Sequence, residues 1–219
     1  MTDEKDDTHM TQTHRFIQYG CGLTAPTSWR NFDASPTLRL QRAPWPCGPL
    51  AKRLRVRFPD TVEYGDVTGR LPLADGSCEA VYCSHVLEHL SLEDFRRALL
   101  ETKRVLKVGG IFRGVLPDLE YIARKYIEDH SSDASIRFMR DTILGRENRV
   151  RGFIGMIEQV LGNRDHLWMW DYKGLELELG RAGFFEIRRA YFGDGQLDAF
   201  RAVEEADRWE NSLGFECRA

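Results

Sequence analysis

The chain has 219 residues, of which 31 are basic and 34 acidic, for a formal charge of −3. That length suits one domain with a full core, and the balanced charge excludes the basic footprint of a nucleic-acid binder. Cys21, Cys47, Cys78, Cys83 and Cys217 are odd in number and form no C-x-x-C pair, which excludes a disulfide framework and a zinc ribbon and fits a reducing cytoplasm.

No apolar run approaches the roughly 20 residues that cross a bilayer. Residues 1–14 open with Asp3, Glu4, Asp6 and Asp7, where a signal peptide would be basic and then apolar; they read as a disordered tail. Residues 15–219 read as a single domain in which strands alternate with helices. Strands are expected at Arg15–Tyr19, Arg30–Asp33, Thr61–Asp66, Glu79–Cys83 and Ile111–Val115. The alternation predicts an α/β fold with a mostly parallel sheet and helices on both faces.

Between the last two of these strands, Ser91 can cap a helix with Asp94 three positions on. Leu92, Phe95, Leu99, Thr102 and Leu106 recur at intervals of three or four, an amphipathic face. Lys103, Arg104 and Lys107 suit the last turn, and Gly109-Gly110 supply the stop. Residues 119–165 carry three further apolar faces at helical spacing. A stretch this long predicts helices that in part, over about 119–170, cover the crevice as a lid. A helix from Tyr172 to Ala182 is capped by Asp171 and closed by Gly183. Strands at Phe184–Tyr191 and Ser212–Cys217 complete the chain.

The chemistry gathers at strand ends, where an open α/β sheet forms its ligand crevice. Gly20-Cys21-Gly22 follows the first strand and allows close approach to backbone. Asp33 comes eleven residues after Gly22, whereas a dinucleotide fold puts its ribose acid about 20 residues on, after a helix. Leu23 to Trp29 is too short for that helix, so a pyrophosphate has no seat. An adenosine without phosphate suits the pattern: Asp33 accepts from ribose hydroxyls, Asp66 accepts from the adenine amino group, and the glycine amides face an amino-acid tail. S-adenosylmethionine is that ligand.

Ser84-His85-Val86-Leu87-Glu88-His89-Leu90 reads as a strand end that opens a helix. Two chemistries compete for it. One is the strand's contribution to the cofactor and substrate edge. The other is a His-x-x-Glu-His metal signature, with His85 and His89 one helical turn apart. A peptidase site of that kind needs a further carboxylate, to which nothing in the chain points, so no metal is assigned. His85, Glu88, His89 and His166 stay open as ligands of an assisting metal.

The chain resembles the class I S-adenosylmethionine-dependent methyltransferases. The resemblance lies in Tyr19-Gly20-Cys21-Gly22, Trp29-Arg30-Asn31-Phe32-Asp33, Gly65 to Ser77, Ala80 to Leu90 and Arg104 to Gly110. The type 11 subgroup is the most similar, and Asp165 to Asp171 and Arg181 to Phe184 resemble the end of its substrate segment. The resemblance implies a Rossmann-like sheet of seven strands whose last strand runs antiparallel. It also implies that Tyr19, Gly20, Cys21 and Gly22 line the methionine part, Asp33 the ribose, and Asp66 and Val67 the adenine, with Ser84 and His85 near the reacting methyl. The chain departs from the pattern twice. Gln18-Tyr19 and Leu23-Thr24 stand where the family has an acid or a third glycine, and Val108 replaces a proline.

The function expected is methyl transfer from S-adenosylmethionine to a small-molecule or saccharide acceptor, at oxygen. The alternative is a protein of the same fold that binds the cofactor without turnover. His85 is the first candidate for the base, and His166, in a segment with Trp168 and Trp170, the second. Neither a nucleic-acid partner nor a membrane span is expected, and the location expected is the cytoplasm.

Overall fold

A computed structural model describes residues 15–42, 57–145, 147 and 165–219. The tail at 1–14, Cys47, and the apolar positions Val150, Phe153, Ile154, Ile157 and Leu161 lie outside them. Seven strands form one sheet: β1 (Phe16–Tyr19), β2 (Arg30–Asp33), β3 (Val62–Tyr64), β4 (Cys78–Ser84), β5 (Leu106–Pro117), β6 (Phe185–Ala190) and β7 (Ser212–Arg218). Their order is β3-β2-β1-β4-β5-β7-β6. The pairs from β3 across to β5 are parallel, and β7 runs antiparallel to both β5 and β6. This is the seven-stranded sheet with an antiparallel last strand that the sequence implied.

The helices are α1 (Pro36–Arg42), α2 (Leu92–Val105), α3 (Leu119–Glu128), α4 (Ala134–Asp141), α5 (Tyr172–Arg181) and α6 (Ala206–Trp209). Short 3₁₀ turns lie at Leu87–His89 and Asp198–Ala202. Among the described residues no helix is long and apolar enough to cross a membrane. The Ser91 hydroxyl accepts from the Asp94 amide, as the capping pattern required. Asp171 caps α5 the same way, and Gly183 follows it at φ +87°.

Two expectations need correction. Gly109-Gly110 do not separate helix from strand: α2 ends at Val105 and β5 begins at once at Leu106. The glycines sit inside a bulge, where the register against β4 jumps from Leu106 to Ile111, and Gly109 takes φ +75°. The run after Ser84 is also not an α-helix. His85 sits at φ +52°, one 3₁₀ turn follows, and Leu90 is extended before Ser91 caps α2. His85 and His89 are therefore not stacked one α-turn apart.

Side chains alternate across the sheet and build a core on each face. Val81, Cys83, Phe112 and Phe215 pack with Phe95 and Leu99 of α2 and Leu175 and Leu179 of α5. On the other face Tyr82 and Val115 pack with Trp29, Phe200 and Trp209. Arg113 projects into that second face and is fully buried. Its Nε donates to Glu204 at 2.6 Å, Nη1 to Asp194 at 2.9 Å and Glu216 at 3.2 Å, and Nη2 to the Tyr191 carbonyl at 2.7 Å. The guanidinium also lies 4.7 Å from the centre of the Trp209 ring.

Removing this cation leaves buried carboxylates without their partner, which costs about 3–5 kcal/mol. Arg113→Met is expected to lose that much in urea unfolding, and a loss below 1 kcal/mol would refute the role given to Arg113. On the first face the buried Glu178 of α5 accepts two hydrogen bonds from Arg96 of α2, at 2.7 and 2.9 Å, and one from Arg181 at 2.6 Å. These donors hold its carboxyl down at about 2, from an ordinary 4.5. The stabilisation is thus complete above pH 4.5 and is lost as the pH falls toward 2. In Glu178→Gln that portion of the acid sensitivity of unfolding should disappear, as thermal melts across this pH range would show.

Candidate functional site

At the carboxyl ends of β1, β2 and β4 the chain leaves a cleft of about 420 Å³. Its walls include Gly20, Asp33, Asp66, Val67, His85 and His89, brought together from four separate segments. Gly20 sits at φ +64°, and a Cβ there would lie 2.1 Å from Cγ2 of Val86. Gly22, at φ +55°, faces open space. No helix forms between them and β2. The Gly22 amide instead donates 3.0 Å to Asp33 Oδ2, and the Ser35 amide donates 2.7 Å to Oδ1. Each carboxylate oxygen keeps a second lone pair, so the group is fixed in place and still able to accept.

Asp66 is held by Thr68, whose amide and hydroxyl donate to Oδ1 at 2.9 and 2.7 Å. Both contacts fall on one oxygen, so Oδ2 keeps its lone pairs. Tyr19 reaches the cleft through its backbone, for its ring is buried and its hydroxyl lies 3.2 Å from that of Thr102. Cys21 points inward to Leu38, Phe58 and Val62. Burial, and then the Asp33 charge, push its thiol up to about 12. Neither it nor Gly22 or Ser84 lines the cleft. Gln18 donates to the Thr24 carbonyl at 2.6 Å and to Asn31 at 2.7 Å. It shapes the glycine loop from beneath.

His85 lines the cleft in a left-handed conformation that non-glycine residues seldom adopt, the kind of strain that collects at functional sites. Its amide donates to the Val115 carbonyl at 2.9 Å. Nε2 lies 2.9 Å from the Arg208 carbonyl, and Nδ1 lies 3.2 Å from Glu88 Oε1. Burial works against protonation of this ring, but the Glu88 carboxylate and the Arg208 carbonyl outweigh it and raise the pKa above the usual 6.5. Glu88, fully buried, was not named among the cofactor residues; its signal was its place in the His-x-x-Glu-His run.

His89 also faces the cleft, with Nδ1 3.1 Å from the Asp165 carbonyl. His166 does not. Its ring stands edge-on behind that of His89, 5.0 Å between centres, and is 8% exposed. Burial lowers its pKa below the usual 6.5. Trp170 stacks on Phe95 at 4.2 Å and belongs to the core, while Trp168 is exposed. Asp118 caps α3, accepting from the amides of Glu120 and Tyr121. Ala34, Ser35 and Pro36 also line the cleft, without any signal in the sequence, and Thr68 and Leu90 line it from segments that carried the resemblance.

Gly20→Ala would combine a left-handed alanine with a side-chain clash. The expected loss is about 2–5 kcal/mol in urea unfolding. A variant as stable as the parent would show that Val86 yields without cost.

The family model described as a methyltransferase domain, type 11, matches residues 47–113. No curated protein matches the chain. Among solved structures, the chain is similar to an S-adenosylmethionine-dependent methyltransferase from Mesorhizobium loti, at 17% identity and a TM-score of 0.47, over 94% of this chain and 90% of that one. A second, from Archaeoglobus fulgidus, is 13% identical with a TM-score of 0.48, over 94% and 86%. A third, from Thermotoga maritima, is 16% identical with a TM-score of 0.49, over 93% and 81%. The match to a methyltransferase domain thus falls on the segment whose described residues supply β3, β4, α2 and most of β5.

Proposed function

We propose that this domain moves a methyl group from S-adenosylmethionine to an oxygen of a small-molecule or saccharide acceptor, with His85 taking up the acceptor's proton. The observation that carries the reading is one cleft holding both a fixed, accepting carboxylate at Asp33 and a histidine backed by a buried carboxylate at His85. Asp33 receives the ribose hydroxyls, and Asp66 and Val67 flank the adenine. Tyr19 and Gly20 would offer the cleft wall to the methionine part, with Cys21, Gly22 and Ser84 next to it in the chain but off the wall.

The cofactor, when bound, supplies a methyl group already activated by a sulfonium. Alignment therefore supplies much of the rate. The cleft walls orient the acceptor, and its hydroxyl must shed a proton as it attacks. At His85 a carbonyl faces Nε2, so Nε2 carries hydrogen and the lone pair lies at Nδ1. Glu88, 3.2 Å from Nδ1, stabilises the imidazolium that results. Segment 165–170 is tied to this edge, because the amides of Leu167 and Trp168 donate to the Glu88 carbonyl. The cytoplasm suits the four described cysteines, all buried thiols. The second reading, a binder without turnover, rests on Gln18 standing where the family carries an acid.

Calorimetry with S-adenosylmethionine should show binding, and Asp33→Asn should weaken it by about 10–100-fold. Absence of binding in the parent chain removes the enzymatic reading, and unchanged affinity in the variant removes the ribose assignment. A screen of hydroxylated acceptors for release of S-adenosylhomocysteine identifies the acceptor class. With a substrate in hand, His85→Gln should lower kcat by about 100-fold or more while cofactor affinity stays within about twofold. Undiminished turnover in that variant would exclude His85 as the base.

A further inference from the structure

We propose that Glu88, His89 and His166 form a binding site for one divalent transition-metal ion of the zinc class, set into the edge of the cofactor cleft. One ligand atom from each of the three lies within 4.8 Å of the other two. The sequence assigned no metal but left His85, Glu88, His89 and His166 open as ligands of one; the fold groups the last three and leaves His85 out.

The first support is an unmet electrostatic demand. Glu88 is fully buried, and neither of its carboxylate oxygens has a hydrogen-bond partner among the described residues. Nδ1 of the buried His166 is likewise without a partner. Orphaned polar atoms of this kind are costly, and here they converge on one point. His85 does not meet the demand alone. Its Nδ1 is near enough to Oε1 for an ion pair but off the line of a hydrogen bond, and it leaves Oε2 and His166 untouched.

The second support is how the ligands are held. The Asp165 carbonyl faces His89 Nδ1, so that nitrogen carries the hydrogen and Nε2 keeps its lone pair. A carbonyl that fixes the tautomer in this way is a regular companion of metal-bound histidine. The Glu88 carbonyl accepts from the amides of Leu167 at 2.8 Å and Trp168 at 3.1 Å. That backbone tie joins the 3₁₀ turn bearing Glu88 and His89 to the segment bearing His166, without using any ligand side chain.

Two imidazoles and one carboxylate make the donor set of three-ligand zinc sites that keep a position open. The nitrogens disfavour magnesium and calcium, which take oxygen ligands. His89 is also on the cleft wall, so an ion held by these three residues would border the cleft. There the ion would take an acceptor oxygen and lower the pKa of its hydroxyl, while Oε1 of Glu88 continues to face His85. This last role rests on the oxygen-acceptor reading above; metal binding itself does not.

The test uses the full chain freed of metal with a chelator. Zinc chloride titrated by calorimetry should bind at one equivalent, and cobalt(II) should give the visible absorption of a four- or five-coordinate ion. His89→Ala and His166→Ala should each weaken zinc binding at least about tenfold, whereas His130→Ala, at an exposed position, should not. Glu88→Gln should do the same as the histidine variants; if it fails to fold, the half-buried His89 decides the matter. No saturable zinc binding, or binding indifferent to both His89→Ala and His166→Ala, overturns the site. S-adenosylmethionine affinity measured on the same metal-free protein keeps the two readings apart, since its retention without zinc binding removes only the metal site.

Discussion

The structure depends on neutralising one fully buried guanidinium. Arg113 lies mid-strand on β5 and gathers Glu204, Glu216, Asp194 and the Tyr191 carbonyl around it. Such a group is tolerated only because every direction it points is met by an acceptor. The consequence reaches the cleft. The segment it clamps supplies the Ala199 carbonyl to the Trp29 indole and the Glu205 carboxylate to Thr24, which steady the glycine loop from outside. Farther along the same segment, the Arg208 carbonyl orients the His85 ring.

The opposite case lies at Glu88. It is as buried as Arg113, yet its oxygens lack the acceptor's complement of donors that Arg113 enjoys as a donor. One face of the sheet thus holds a polar group fully satisfied by its own chain, and the cleft edge holds one that is not. The backbone there is strained as well, with His85 left-handed between β4 and a single 3₁₀ turn. Strain and buried polar atoms without hydrogen-bond partners at one place are what separate a functional edge from a core.

Much of this was legible from sequence because the signals are local. The Ser91 and Asp171 caps, the strand-terminal acids and the short helixless path from Gly22 to Asp33 depend on neighbours within a few residues. The bulge at Gly109 was misread as a stop because a glycine pair signals a break without saying whether helix or strand absorbs it. The inward turn of Cys21 was not legible either, since its partners Leu38, Phe58 and Val62 come from α1, β3 and the residues before it.

The sequence by itself determined the order of strands and helices, the glycines and acids at the strand ends and the histidines in contention, because periodicity, capping and spacing are written within each segment. Only the tertiary structure decided what each histidine can do. The Arg208 carbonyl that holds His85 is 123 residues away, and the Asp165 carbonyl that holds His89 is 76. A ring's free nitrogen is set by the group facing the other one, and those groups meet it only after the chain has folded.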